Sequence, residues 1–151
     1  MSKAFTVLKE LLGVREEDLV NYKEHLEALG YSGCEFELSQ KKYVFRRAKL
    51  TPKKAGFFVT LWNRNDQGVT VPFGVDGKFD EVVVMCQEGV NKGFFVFSKE
   101  VLAKNKVLSV KASGGKRGFR VYPSWSKIQS KQAAVTQRWQ LSFFSKLNPF
   151  V

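Results

Sequence analysis

Between residues 34 and 122 the apolar side chains come in short runs of β-branched and aromatic residues, closed off by glycine, proline, asparagine or charge. Runs of that length suit strands rather than helices. Gly56-Phe57-Phe58-Val59-Thr60-Leu61-Trp62 reads as a buried strand. Val82-Val83-Val84-Met85 is apolar at every position and is expected at the centre of a sheet, covered on both faces. Gly93-Phe94-Phe95-Val96-Phe97 follows, then a short helix from Ser98 through Lys104. Shorter strands are expected at Glu35–Leu38, Tyr43–Arg46, Val107–Val110 and Phe119–Tyr122, with turns at Asp66-Gln67-Gly68 and Ser113-Gly114-Gly115. The shared Gly56-Phe57-Phe58-Val59 and Gly93-Phe94-Phe95-Val96 reflect a turn glycine entering an aromatic strand, not a duplicated fold.

Helical spacing frames this strand region. Ser2 can cap a helix carrying Phe5, Leu8, Leu11 and Leu12, which Gly13 ends. A second helix is expected with Glu16, Glu17 and Asp18 in its first turn, a stripe of Leu19, Tyr22, Leu26 and Leu29, and a stop at Gly30. It would hold His25, the one histidine, exposed among acids. A last helix is expected from Ser130 to Leu147, with Val135, Trp139, Phe143 and Leu147 on one stripe. No linker divides the chain. The expected architecture is a single α/β domain over 1–151: an acidic helical pair (1–30), then a basic mixed-sheet core with a C-terminal helix (31–147).

The 151 residues suffice for one buried core. No run approaches the roughly 20 apolar residues of a bilayer span, so no membrane association is expected. The opening Met1-Ser2-Lys3 leads into a helical pattern without a signal peptide's apolar stretch. Two cysteines, Cys34 and Cys86, form no CxxC pair. A reduced, cytoplasmic location is expected.

The net charge of +11 is unevenly spread. Residues 1–40 hold four basic and eight acidic side chains, whereas residues 41–151 hold 21 basic and six acidic ones. Such a field attracts phosphates and other polyanions, although part of it serves solubility. Two basic segments flanked by aromatics stand out. The first runs from Arg46 through Arg47, Lys49, Thr51 and Lys54, with Arg64 beyond the next strand. The second spans 114–125 and contains Lys116, Arg117, Arg120, Tyr122 and Trp125. Arginine can grip a phosphate with two hydrogen bonds, and Gly114-Gly115 lets backbone approach closely. Alternation puts Arg120 and Tyr122 on one face. Tyr122 and Trp125 either stack on a base or belong to the edge of the core. Gln137 and Gln140, on the last helix, either read a base edge or meet water.

Catalytic patterns are sparse. One histidine builds no multi-histidine metal site, and Gly114-Gly115-Lys116 lacks P-loop spacing. Asp76, Asp80 and Glu81 cluster before the central strand, where carboxylates can hold Mg2+ for phosphodiester cleavage. Asp76-Gly77 is better read as a turn. No cofactor is expected except Mg2+ under that nuclease alternative.

Beyond these patterns, the chain resembles the bacterial MepB-like family. The resemblance rests on Arg47-Ala48-Lys49-Leu50-Thr51-Pro52-Lys53-Lys54-Ala55-Gly56, on Phe58–Trp62 with Arg64, and on Gly93, Phe95 and Phe97. It continues through Gly115-Lys116-Arg117, Arg120-Val121-Tyr122-Pro123 with Trp125, Gln132-Ala133, Thr136-Gln137, Trp139-Gln140 and Phe144. It covers roughly residues 31–147. Phe57 and Phe94 depart from it, standing where the family usually has glutamine after glycine. The resemblance implies a small cytoplasmic protein without an established catalytic activity and a restriction-endonuclease-like mixed sheet flanked by helices. It also implies a shared polar site formed by Arg47, Lys49, Thr51, Lys54, Arg64, Lys116, Arg117, Arg120, Tyr122, Gln137 and Gln140. The leading expectation is a non-catalytic domain that binds nucleic acid or nucleotide phosphate. The alternatives are a Mg2+-dependent nuclease or phosphohydrolase, and a protein-interaction module whose acidic lobe meets a basic partner or a second copy. Oligomeric state is left open.

Overall fold

The computed structural model describes residues 13–147. The expected first helix, apart from Gly13, lies outside the described residues. A six-stranded mixed sheet forms the centre, in the order β1 (Val20–Glu24), β2 (Cys34–Leu38), β3 (Lys41–Arg47), β8 (Glu81–Glu88), β9 (Asn91–Ser98), β11 (Phe144–Leu147). Its pairings are antiparallel except β3 with β8, where Val44 faces Val82 and Arg46 faces Val84. A parallel pair needs a long crossover, and residues 48–80 supply it. That crossover carries β4 (Lys49–Leu50), β5 (Phe57–Thr60), β6 (Trp62–Arg64) and β7 (Thr70–Pro72). With β10 (Gly118–Val121), β5 and β4 make a three-stranded antiparallel sheet, and β6 pairs with β7.

Strand alternation builds the core between the two larger sheets. Val82, Val84, Cys86, Phe95 and Phe97 of the large sheet share one buried cluster with Phe57, Val59, Phe119 and Val121 of the small one. Each buried ring contributes roughly 1.5–3 kcal/mol through burial alone, so this seam fixes which way β5 and β10 face. Phe58, Thr60, Gly118 and Arg120 must therefore look outward. The opposite face of the large sheet carries a second cluster around Phe36, Phe45, Val83 and Met85. Phe57 points into the core where Phe94 does not, and Phe95 does where Phe58 does not. The two Gly-Phe-Phe-Val segments thus enter their sheets in opposite register.

Two α-helices among the described residues flank the sheets. Ser98 caps α1 (Lys99–Lys104), its Oγ accepting from Val101 N at 3.2 Å. Ser130 caps α2 (Lys131–Leu141) in the same way through Ala133 N at 3.1 Å. No helix among the described residues is long and apolar enough to cross a membrane. Cys34 and Cys86 are free, buried thiols.

The expected second helix is absent, and with it the N-terminal helical pair. Glu16–Asp18 and Leu26–Tyr31 are 3-10 turns, with strand β1 between them. Val20, Asn21 and Tyr22 are weak helix formers, and Asn21 takes a left-handed φ of 54° at an irregularity in the β1–β2 register. Pairing with β2 covers that strand's edge and lays Tyr22 and Leu19 against the second cluster. Leu26 and Leu29, two members of the proposed stripe, are 78% and 57% exposed. The last helix stops at Leu141 instead of Leu147. Beyond it Phe144 pairs with Phe95 in β9, their rings 4.7 Å apart, so the segment satisfies the edge of β9 rather than extending a helix. Residues 107–110 form isolated bridges rather than a strand, Gly74 with Ser109 and Val110 with Ser113. The fold is mostly sheet, and its mixed, largely antiparallel topology gives no support to the restriction-endonuclease-like assignment.

Candidate functional site

The outward face of the small sheet and the first turns of α2 enclose a solvent-open cavity of about 600 Å3. Its charged lining among the described residues is Lys53, Lys54, Lys116 and Arg120, with no carboxylate among them. Among the described residues, Arg15, His25, Lys41 and Lys42 make ion pairs within 4.0 Å. The three lysines are exposed and make no ion pair with the described residues. Their charge is therefore directed at the cavity and solvent.

Arg120 is engaged in holding the site together. Its Nε and Nη2 donate to Ala55 O at 3.2 and 3.0 Å, and Nη2 also reaches Thr51 Oγ1. Thr51 Oγ1 in turn donates to Lys54 O at 3.3 Å. The guanidinium thus ties down the 51–56 loop and aims Lys53 and Lys54. Gln140, fully buried, lies along the free edge of β10. Its Oε1 accepts from Tyr122 N and its Nε2 donates to Arg120 O, both at 2.9 Å. One amide does the hydrogen bonding that a neighbouring strand would do, and so fixes α2 against the sheet. Gln137 Nε2 donates to Pro123 O at 3.1 Å.

Aromatic rings form the apolar wall. Phe58 stands opposite Arg120 in the β5–β10 register. The far end of its ring lies where a Cβ on Gly118 would be, 2.4 Å from Phe58 Cζ, so only the bare glycine admits it. Trp139 packs on Phe97 with ring centres 5.4 Å apart. Gln132 and Thr136, one helical turn apart on α2, also line the cavity, and their side chains make no hydrogen bond to the described residues.

Of the residues expected at a shared site, the cavity gathers Lys54, Lys116, Arg120, Tyr122 and Gln140. The others lie outside its lining. Thr51 supports it through Arg120. Lys49 shares the row of Phe58 and Arg120, but its ammonium sits 4.5 Å from the Tyr31 ring centre. Arg47 donates to Gln87 Oε1 at 3.4 Å. Arg64 stacks on Trp62 and donates to Gly68 O, and Arg117 donates to Thr70 O at 3.2 Å. Trp125 donates to Glu88 Oε1 at 3.2 Å and meets Phe57 and Phe144 edge-on. Tyr122 is buried, 8% exposed, and so belongs to the core edge. Phe57 and Phe94 do not line the cavity. Sequence reasoning missed Phe58, Lys53, Thr136 and Trp139 as a group. Alternation from the buried Phe57 would have turned Phe58 outward.

Arg46, placed by the sequence in the first basic segment, is fully buried in β3. It donates to Phe45 O at 2.9 Å and Thr60 O at 3.2 Å, and burial pulls it down to about 10. His25 is likewise buried rather than exposed, with Nε2 2.8 Å from Glu35 Oε1. Burial, then the charge of Arg46, hold His25 below its ordinary value of 6.5. A second cavity of about 400 Å3 adjoins His25, but there Lys23, Lys42 and Lys78 are balanced by Glu24, Glu27 and Glu35.

Two of the three acidic residues before the central strand have local partners. Asp80 Oδ2 accepts from Lys42 N at 2.8 Å, Glu81 pairs with Lys41 at 3.2 Å, and Asp76 stands exposed beside Gly74. No group of three or more His, Cys, Asp or Glu able to hold a metal occurs among the described residues. Burial pushes the Cys34 thiol up to about 12 and also raises that of Cys86, which leaves neither as a ready nucleophile.

Residues 25–146 match the model of the MepB-like family. Among solved structures, one described as the crystal structure of MepB is similar to this chain at 30% identity and a TM-score of 0.85, covering 98% of this chain and 99% of that one. A search of curated proteins gave no match. With most of its length matched in sequence and its fold shared nearly end to end, the chain belongs to the MepB-like family.

Proposed function

We propose that the larger cavity is a receptor for phosphate, presented by nucleic acid or a nucleotide, and that the domain works by binding rather than by catalysis. One observation carries this reading: a cavity of nucleotide-accommodating size lined, among the described residues, by four cations and no carboxylate. Such a lining leaves a positive field that an anion neutralises. The N-terminal turn of α2, with Ser130, Gln132 and Ala133 on the lining, adds the positive end of a helix dipole to the lysines. The buried, unpaired cysteines suit the reduced cytoplasm in which such ligands abound.

Anisotropy titration of a fluorescent oligonucleotide tests the reading. Three lysine–phosphate contacts on a single strand give a log–log salt slope of about 2, or roughly 20-fold weaker binding at 200 than at 50 mM salt. Replacing Lys53, Lys54 and Lys116 together by Gln is expected to abolish most of that slope. Replacing Lys23, Lys41 and Lys78, which do not line the cavity, is expected to leave it largely intact. Equal losses in both variants would show that net charge, not this cavity, drives binding.

A further inference from the structure

We propose that the smaller cavity, beside His25, is a separate binding site for a small zwitterion of the amino acid class, in which a primary ammonium and a carboxylate are joined to an apolar group. It shares no lining residue with the larger cavity, so the inference stands apart from the phosphate reading. The cavity, of about 400 Å3, lies between the β1–β3 part of the large sheet and the crossover residues 63 and 73–79. That volume suits a small ligand. Charges of both signs line it without neutralising one another. Lys42 is committed to Glu35, which His25 also claims. The side chains of Lys23, Glu24, Asn63 and Lys78 make no ion pair or hydrogen bond among the described residues. Lys78 is the one charged lining residue that the crossover supplies among those described, whereas Glu24 and Glu27 line the sheet side. Opposite charges held apart in this way suit a ligand that carries both.

His25 sets the character of the sheet side. Its Nε2 lies 2.8 Å from Glu35 Oε1 and so carries the ring proton. Burial and the charge of Arg46 keep the ring neutral at pH 7. Nδ1 is then an acceptor, buried without a partner and 4.0 Å from Glu27 Oε1. Two acceptors at that spacing with no donor between them are unfavourable. A single donor group admitted about 2.8 Å from each satisfies both, and an ammonium brings three donors. Its charge is favoured there because Glu27 and Glu35 face His25 against the one guanidinium of Arg46. Across the cavity, Lys78 and Asn63 offer donors to a carboxylate. Val44, Phe73 and Phe79 supply a buried apolar surface between the two ends. Leu26, also on the lining, is 78% exposed, and an apolar ligand side chain laid over it removes that surface from water.

Isothermal titration with pools of the common amino acids at millimolar concentration tests the site. The tightest binder is then compared with its two half-analogues, the amine without the carboxylate and the acid without the amine. For leucine these are 3-methylbutylamine and 4-methylpentanoate. The amino acid is expected to bind about tenfold or more tightly than either, since each half-analogue gives up a charge-assisted contact. This comparison needs only the wild-type protein. Glu27→Gln and Lys78→Gln are each expected to weaken binding about tenfold, and Lys104→Gln, which lines neither cavity, to leave it unchanged. Circular dichroism melting confirms that each variant is folded. The triple replacement of Lys53, Lys54 and Lys116 by Gln is expected to keep amino acid binding, which separates this site from the phosphate reading. A half-analogue that binds as tightly as the amino acid, loss of binding in that triple variant, or no binding by any pool overturns the proposal.

Discussion

Replacing Gln140 by Ala should unlock α2 from the small sheet. Its amide is fully buried and supplies the partners of Arg120 O and Tyr122 N at 2.9 Å each. Truncation removes both bonds and leaves two buried backbone groups without partners. A buried group left unsatisfied costs about 1–3 kcal/mol, so a loss of about 2–4 kcal/mol is expected once partial relaxation is allowed. With a urea dependence of about 2 kcal/mol per molar, the unfolding midpoint falls by about 1–2 M. Gln137→Ala serves as the reference, since it gives up one half-buried bond to Pro123 O at 3.1 Å and should cost about 1 kcal/mol. Gln140→Glu sharpens the argument. The carboxylate can still accept from Tyr122 N but cannot donate to Arg120 O, and its charge is buried. It should destabilise at neutral pH and recover as acid protonates it and restores a donor. A midpoint shift for Gln140→Ala no larger than that of Gln137→Ala would refute the view that this amide closes the sheet edge.

Two further outcomes follow from the buried polar groups near β3. His25 is held below 6.5 by burial and by Arg46, so the unfolded chain takes up its proton first. The contribution is fully present above about pH 6.5 and is lost as pH falls through the lower folded value. Glu35, on balance held below 4.5 by hydrogen bonds from His25 and Lys42 that outweigh its burial, adds a second loss in the same direction below that pH. Thermal melting between neutral and mildly acidic pH should show the first loss in the wild type but not in His25→Gln. Gly33→Ala places a Cβ 2.6 Å from Ala28 Cβ and 2.9 Å from Arg46 Nη1; a destabilisation of about 1–3 kcal/mol in urea unfolding is expected from that overpacking.

The strands were legible wherever burial and spacing agreed. Val82–Met85 and Phe57–Thr60 are apolar enough that only a covered strand suits them, and both lie in strands of the fold. Residues 19–30 misled because leucines at helical spacing look the same whether or not the stripe finds a partner. Here β2 offered its edge, and backbone pairing outweighed a stripe whose Leu26 and Leu29 stay in water. Pairing with β9 ended α2 early for the same reason. The site was legible as charge but not as contacts. Lys54 and Lys116 come from separate basic segments and do meet at one cavity. Arg120 comes from the same pattern but spends its donors on the carbonyls of the 51–56 loop. Which carbonyls a fold leaves without partners is set by tertiary packing, and no local pattern records it. Arg46 shows the same limit, since its neighbours Phe45 and Thr60 claim it in the interior.

The location of bound ligand tests the account most directly. Titrating isotope-labelled protein with a short oligothymidylate and following its amide and aromatic resonances would report which residues sense the ligand. Perturbations are expected to concentrate on Lys54, Phe58, Lys116, Thr136 and Trp139, with Arg47, Arg64 and Lys146 little changed. Shifts centred on Arg64 and Arg117, or spread evenly over the basic surface, would contradict the assignment of the cavity as the binding site.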